Sequence, residues 1–127
     1  MKTANVAEAV KSEHAVALLK QMYGENRVEE NAARYQLVAD GFAKEFGDKA
    51  FEFFSAPGRT EIGGNHTDHN HGKVLAGSVH LDCVAAAAPN GTHTVNLISE
   101  TYNQHLVINL DDLAPTEKTT GTEPLLK

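Results

Sequence analysis

The sequence predicts an α+β fold in which two N-terminal helices pack on a mixed, mostly antiparallel sheet. Three observations predict it. Apolar residues recur at helical spacing as far as Gly47, they fall into strand-like runs from Ala50 onward, and Pro89-Asn90-Gly91 is a strong hairpin signal between two such runs. Helices gathered at one end and strands at the other indicate segregated layers rather than alternating βαβ units.

The first helix is expected from about Asn5 to Tyr23, with Val6, Val10, Val16, Leu19 and Met22 on one stripe and Gly24 as its stop. The second carries Tyr35, Val38, Phe42 and Phe46 on one face, with Glu29 and Glu30 favouring its N-terminal end and Gly47 closing it. Phe51 to Ser55 reads as a strand leading into a glycine-rich loop. Val74 to Ala76 is a short strand, and Val79 to Ala88 a longer one rich in small apolar residues. Asn and Gly tolerate positive φ, so Asn90-Gly91 predicts a hairpin into the strand within Thr92 to Ser99; His105 to Leu110 supplies another strand. Asp111 to Lys127 is polar and rich in Pro, Gly and Thr, as a linker-like tail is.

Composition narrows the function. A chain of 127 residues has room for one domain, which buries about two thirds of its unfolded surface. A net charge of −6, with no Lys or Arg between Lys73 and Lys118, speaks against a nucleic-acid partner. No apolar run is long enough to span a bilayer, and charges break the N-terminus before a signal-peptide core forms, so a cytoplasmic protein is expected. The single Cys83 excludes an internal disulfide and, lying in an apolar run, is expected to be a buried structural thiol.

Chemistry gathers between Ala56 and Gly72, in the run APGRTEIGGNHTDHNHG. Gly58, Gly63 and Gly64 allow the backbone to turn tightly or approach a ligand. Arg59 is a permanent cation with a planar donor fork, suited to phosphate or developing negative charge. Asp68 can accept from two neighbouring hydroxyls, and Asn65 and His66 can each donate and accept, as polyol recognition requires. The same residue types also suit a turn-rich loop in which Thr67, Asp68 and Asn70 bond local backbone amides and Asp68 caps a following turn. His66, His69 and His71 around Asp68 match no standard zinc spacing, so no metal site is assigned. His69 and His71 are read as solvated, and His80, His93 and His105 as ordinary strand histidines.

Beyond its residue chemistry, the run closely resembles the N-terminal signature of galactokinases, which are GHMP small-molecule kinases. Their usual form is roughly A-P-G-R-V-N-L-I-G-E-H-T-D-Y-N-x-G. Ala56-Pro57-Gly58-Arg59, Gly64, His66-Thr67-Asp68, Asn70 and Gly72 fall at the family's spacings, as does Val74-Leu75 beyond it. The likeness is good from about Phe51 to Asn109 and weaker over the helices. It implies a sugar-binding segment of an enzyme that moves the γ-phosphoryl group of ATP, with Mg2+, to the anomeric hydroxyl of galactose or a related hexose. On that resemblance Arg59 stabilises the transition state, Asp68 holds ring hydroxyls and His66 lines the sugar pocket. Asn65 stands where most galactokinases have Glu against the primary hydroxyl, and Glu61-Ile62-Gly63 replaces Asn-Leu-Ile, the marks of a divergent branch. The family's Gly/Ser-rich phosphate loop and catalytic Asp have no counterpart here, so ATP is not expected to bind this segment alone and the isolated segment is expected to be inactive. Two alternatives remain open: a galactokinase-like sugar sensor without turnover, and a structural module with no ligand. Exposed sheet edges would favour self-association.

Overall fold

A computed structural model describes residues 5–64, 67–114, 122 and 124, with the backbone alone for Asp68. It shows helices followed by antiparallel strands, the α+β architecture expected. The chain groups into two compact units, Met1–Ala88 and Pro89–Lys127.

In the first unit the single N-terminal helix expected is two: α1 (Val6–Ala9) and α2 (Glu13–Tyr23). Ser12 makes the break. Its backbone is extended at φ −62° and ψ 150°, and its hydroxyl accepts from Ala15 N–H at 3.2 Å while donating to Ala9 O at 2.7 Å. A hydroxyl that satisfies an orphan N–H starts a new helix more readily than it continues an old one. Gly24 ends α2 at φ 85°, and α3 (Val28–Phe46) ends at Gly47 with φ 79°, both where the sequence places the stops. The predicted α3 stripe faces inward: Phe42 is buried and Tyr35, Val38 and Phe46 are half-buried.

Strands β1 (Glu52–Gly63) and β2 (Leu75–Ala87) form an antiparallel pair. Val6, Ala39, Phe42 and Phe51 make the core, with Val10, Phe46, Phe53, Ala86 and Ala88 packed around it. Ring centroids of Phe42–Phe51 and Phe51–Phe53 lie 4.8 and 5.2 Å apart, close enough to add about 0.5–1.5 kcal/mol per pair beyond burial.

Three strand-level expectations change. The strand expected to end at Ser55 continues through Ala-Pro-Gly-Arg to Gly63, because its ladder with β2 tolerates irregularities between Pro57 and Arg59 and between Glu61 and Gly63. The two strands expected over Val74–Ala88 are correspondingly one. Cys83 is exposed rather than buried: Asp82 and Val84 occupy the helix side of β2, so alternation sends Cys83, opposite Ala56, to the other face.

The second unit is the antiparallel pair β3 (Thr94–Ser99) and β4 (Gln104–Asn109). The hairpin expected across Asn90-Gly91 is not formed, since β2 pairs with β1 and β3 with β4. Asn90 instead ties the loop to its own far side, accepting from Thr92 N–H at 2.9 Å and donating to Thr94 O at 2.8 Å. His93, His105 and His80 are exposed, and His93 Nδ1 lies 2.7 Å from Asp111 Oδ1. Most of the tail from Asp111 lies outside the described residues.

Candidate functional site

The loop between β1 and β2 is organised by Thr67. Its hydroxyl donates to Gly64 O at 2.7 Å, and its carbonyl accepts from the N–H groups of Asn70 at 3.1 Å and Gly72 at 2.8 Å. Residues 68–70 form one 3-10 turn inside this clasp. Gly64 is required at the first corner: φ is 84°, and a Cβ there would come 2.0 Å from Lys73 O, far inside any real contact. Thr67 does bond local backbone, but its hydroxyl donates to the Gly64 carbonyl and not to an amide as expected.

Arg59 stands on β1 opposite Ser78, with its side chain 74% exposed and Nη2 3.3 Å from Glu61 Oε1. Among the described residues Glu61 takes one of its five donors. Asp68 opens the 3-10 turn; Asn65 and His66 lie outside the described residues. One hairpin therefore carries Arg59 on its strand and Asp68 on its loop. Both His69 and His71 are exposed, as expected, and Asn70 Nδ2 lies 3.1 Å from His69 Nε2. Among the described residues no group of His, Cys, Asp or Glu is arranged to hold a metal ion, and no helix is long and apolar enough to cross a membrane.

Below the loop lies a cluster that sequence reasoning missed. Asp82 on β2 has a side chain only 4% exposed, yet it carries a charge. Its Oδ1 accepts from Arg34 Nη1 at 2.5 Å, and its Oδ2 accepts from Tyr23 Oη at 2.6 Å and from Ser55 Oγ at 2.5 Å. A second guanidinium nitrogen of Arg34 donates to Asp82 O at 2.6 Å. Tyr23 has one hydroxyl proton, given to Asp82, so at the 3.2 Å contact between the phenols Tyr35 is the donor.

The electrostatics follow from that arrangement. Burial opposes ionisation of Asp82, but the hydrogen bonds from Ser55, Tyr23 and Arg34 and the charge of Arg34 outweigh it. Its carboxyl is therefore held below the ordinary carboxylate range. Burial, with the bonds to Asp82 and Tyr35, pushes the Tyr23 phenol well above its usual value. The signal for this cluster was a lone Asp inside the apolar run 79–88, in a stretch without any Lys or Arg. A charge placed there must find a cation from elsewhere in the chain.

Helices braced on an antiparallel hairpin, with Ala-Pro-Gly-Arg in the strand and Thr67 and Asp68 in the loop, make up an α+β segment whose signature run lies on one hairpin. Comparison with known proteins makes this particular. The family model described as "Galactokinase galactose-binding signature" matches residues 40–89, from the end of α3 through the whole β1–β2 hairpin. A galactokinase of Lactococcus lactis subsp. lactis is 36% identical over 95 residues, covering 74% of this chain and 24% of that protein. The galactokinase of Lactococcus lactis subsp. cremoris is 35% identical over 85 residues, and that of Lacticaseibacillus casei is 34% identical over 73 residues. These cover 66% and 58% of this chain, and 21% and 19% of those proteins. No solved structure matches significantly. The chain is a galactokinase-like N-terminal segment that spans about a quarter or less of the length of these relatives.

Proposed function

We propose that this chain is the sugar-binding part of a cytoplasmic galactokinase of the GHMP class. The complete enzyme transfers the γ-phosphoryl group of ATP to the anomeric hydroxyl of galactose. The observation that carries this reading is the coincidence of the galactose-binding signature, residues 40–89, with one hairpin that holds Arg59 and Asp68. In this reading Asp68 accepts from sugar ring hydroxyls, His66 lines the pocket and Asn65 meets the primary hydroxyl. Arg59, exposed on its strand, stabilises charge on the migrating phosphoryl group, which Mg-ATP supplies.

One observation favours a second reading, a sugar sensor without turnover. Glu61 stands where the family has a neutral Asn and lies 3.3 Å from Arg59 Nη2, which partly neutralises the cation that phosphoryl transfer uses. Calorimetric titration with galactose, alongside a coupled ADP-release assay on the full-length protein, separates the two. Binding with turnover at about 1–100 per second supports the kinase. Binding without turnover supports the sensor, and no binding at all overturns both.

A further inference from the structure

We propose that Asp82 is a positioning residue for the signature strand, fixing where Arg59 and the loop beyond it stand. The inference rests on the sugar-binding reading given above.

Asp82 gathers four donated hydrogen bonds, counting both from Arg34, from three different elements: α2 through Tyr23, α3 through Arg34 and β1 through Ser55. No other described side chain ties the helices to both strands in this way. Its place along the ladder matters as much as its bonds. Asp82 is the register partner of Pro57, the last regular pair before the irregularity, and the next pair is Arg59 with Ser78. Residues 79–81 of β2 therefore stand against Gly58 alone. A Cβ on Gly58 would come within 3.2 Å of both Leu81 O and Val79 Cγ2, so the strands are already close there.

Beyond that point β1 leaves every described side chain exposed, and His80 and Leu81 of β2 still line a hollow with Arg27, Glu30 and Asn31. Every residue of β1 from Ala56 to Gly63 is exposed, whereas Phe53 and Ser55 on the helix side are half-buried. Pro57 also lacks an N–H for the ladder. The direction in which the exposed half leaves the body is thus set at Pro57–Asp82. A well-packed apolar residue at 82 could supply adhesion, but not directional bonds from three elements at one point. A charged hub costs desolvation, and what it returns here is a single register at the base of the signature.

The test uses the full-length protein and follows amide hydrogen exchange at residues 58–61 together with galactose affinity. Asp82→Asn is compared with Val6→Ala, which opens a cavity in the buried cluster around Phe42 and Phe51 without touching the hub. Asp82→Asn is expected to speed exchange at 58–61 and to raise the galactose dissociation constant, each by about tenfold, the worth of one charge-assisted bond. Val6→Ala should lower the melting temperature and leave both unchanged. Arg34→Lys, which keeps the charge but loses the fork onto Asp82 O, should fall between wild type and Asp82→Asn.

Equal behaviour of Asp82→Asn and Val6→Ala, or unchanged exchange at 58–61, overturns the proposal. If wild type binds no galactose while Asp82→Asn still frees 58–61, the sugar reading fails and the positioning role stands. Should Asp82→Asn not fold, Tyr23→Phe and Ser55→Ala each remove one bond. Faster exchange at 58–61 in both supports the proposal, and no increase in either overturns it.

Discussion

The two halves of the β1–β2 hairpin are built on opposite principles. At its base, Phe51, Phe53 and Ala86 pack against Phe42, Phe46 and Val6, and alternate residues point at the helices. At its far end, from Arg59 to Gly63 and from Leu75 to Ser78, the strands are exposed apart from a half-buried Gly77. Hydrophobic burial holds the first half, and backbone bonds with one clasping threonine hold the second. A binding loop gains freedom to meet a ligand by giving up packing, and it then depends on the packed half for its placement.

The largest break should come at the base. Phe51 is 2% exposed and touches both Phe42 and Phe53 through its ring, so Phe51→Ala should cost about 3–5 kcal/mol. Denaturant unfolding of Phe51→Ala and wild type measures this. A loss near zero would mean that the hairpin base is not the structural anchor.

At the far end the sensitive atom is backbone. Gly64→Ala forces a left-handed φ on a residue whose Cβ would meet Lys73 O at 2.0 Å, and the loop must shift. Strain of this kind costs about 1–3 kcal/mol, and galactose binding should suffer with it. Gly77→Ala is the control, because nothing lies within 4 Å of its Cβ and its φ is not in the left-handed range. Melting curves and sugar titrations of the two variants should differ clearly, and equal effects would show that the loop geometry is not what matters.

Sugar binding itself is expected to rank Asp68 above Asn65. A carboxylate makes charge-assisted bonds worth about 1.5–3 kcal/mol each, and an amide makes weaker ones. Asp68→Ala should weaken galactose at least about tenfold and Asn65→Ala less. Calorimetry on both variants checks the order, and a reversed order would move the centre of the cradle to Asn65.

How much of this was legible in the sequence follows the same division. Period and caps revealed the helices because Gly24, Gly47 and the Phe42–Phe46 stripe act locally. The motif singled out Arg59 and Asp68 as candidates because a fixed order of residue types can be read without knowledge of the fold. What escaped was decided by partners distant in the chain. Strand β1 runs through Pro57 and Gly58 because β2 lies beside it, and Cys83 is exposed because the register assigns Asp82 to the helix side. Asp82 itself draws Tyr23 from 59 residues away and Arg34 from 48, separations that no local pattern encodes.

Acid should act on the base through that same group. The carboxyl of Asp82 has a folded pKa below its unfolded value of about 3.9. It therefore contributes stability above that value and loses the contribution as pH falls through the folded pKa. The groups bonded to it are Arg34, Tyr23 and Ser55, and Arg27 stands close enough to feel its charge. Melting temperature should fall more steeply below about pH 4 in wild type than in Asp82→Asn. Parallel profiles would mean that the carboxylate is not the acid-sensitive element.

The smallest structural effect belongs to Arg59. With 74% of its side chain exposed and Glu61 as its partner at 3.3 Å, it contributes little to the fold, since exposed pairs are worth about 0–1 kcal/mol. Arg59→Lys should leave the melting temperature and the galactose dissociation constant within about twofold of wild type. Turnover of the complete enzyme should nevertheless drop, because lysine keeps the charge and loses the planar fork that meets phosphoryl oxygens in a fixed geometry. That combination, an unchanged fold and ground-state affinity with a depressed kcat, would place the work of Arg59 in the transition state. An unchanged kcat with a raised KM for sugar would instead make Arg59 a sugar ligand. It would also mean that the exposed half of the hairpin recognises substrate without taking part in its chemistry.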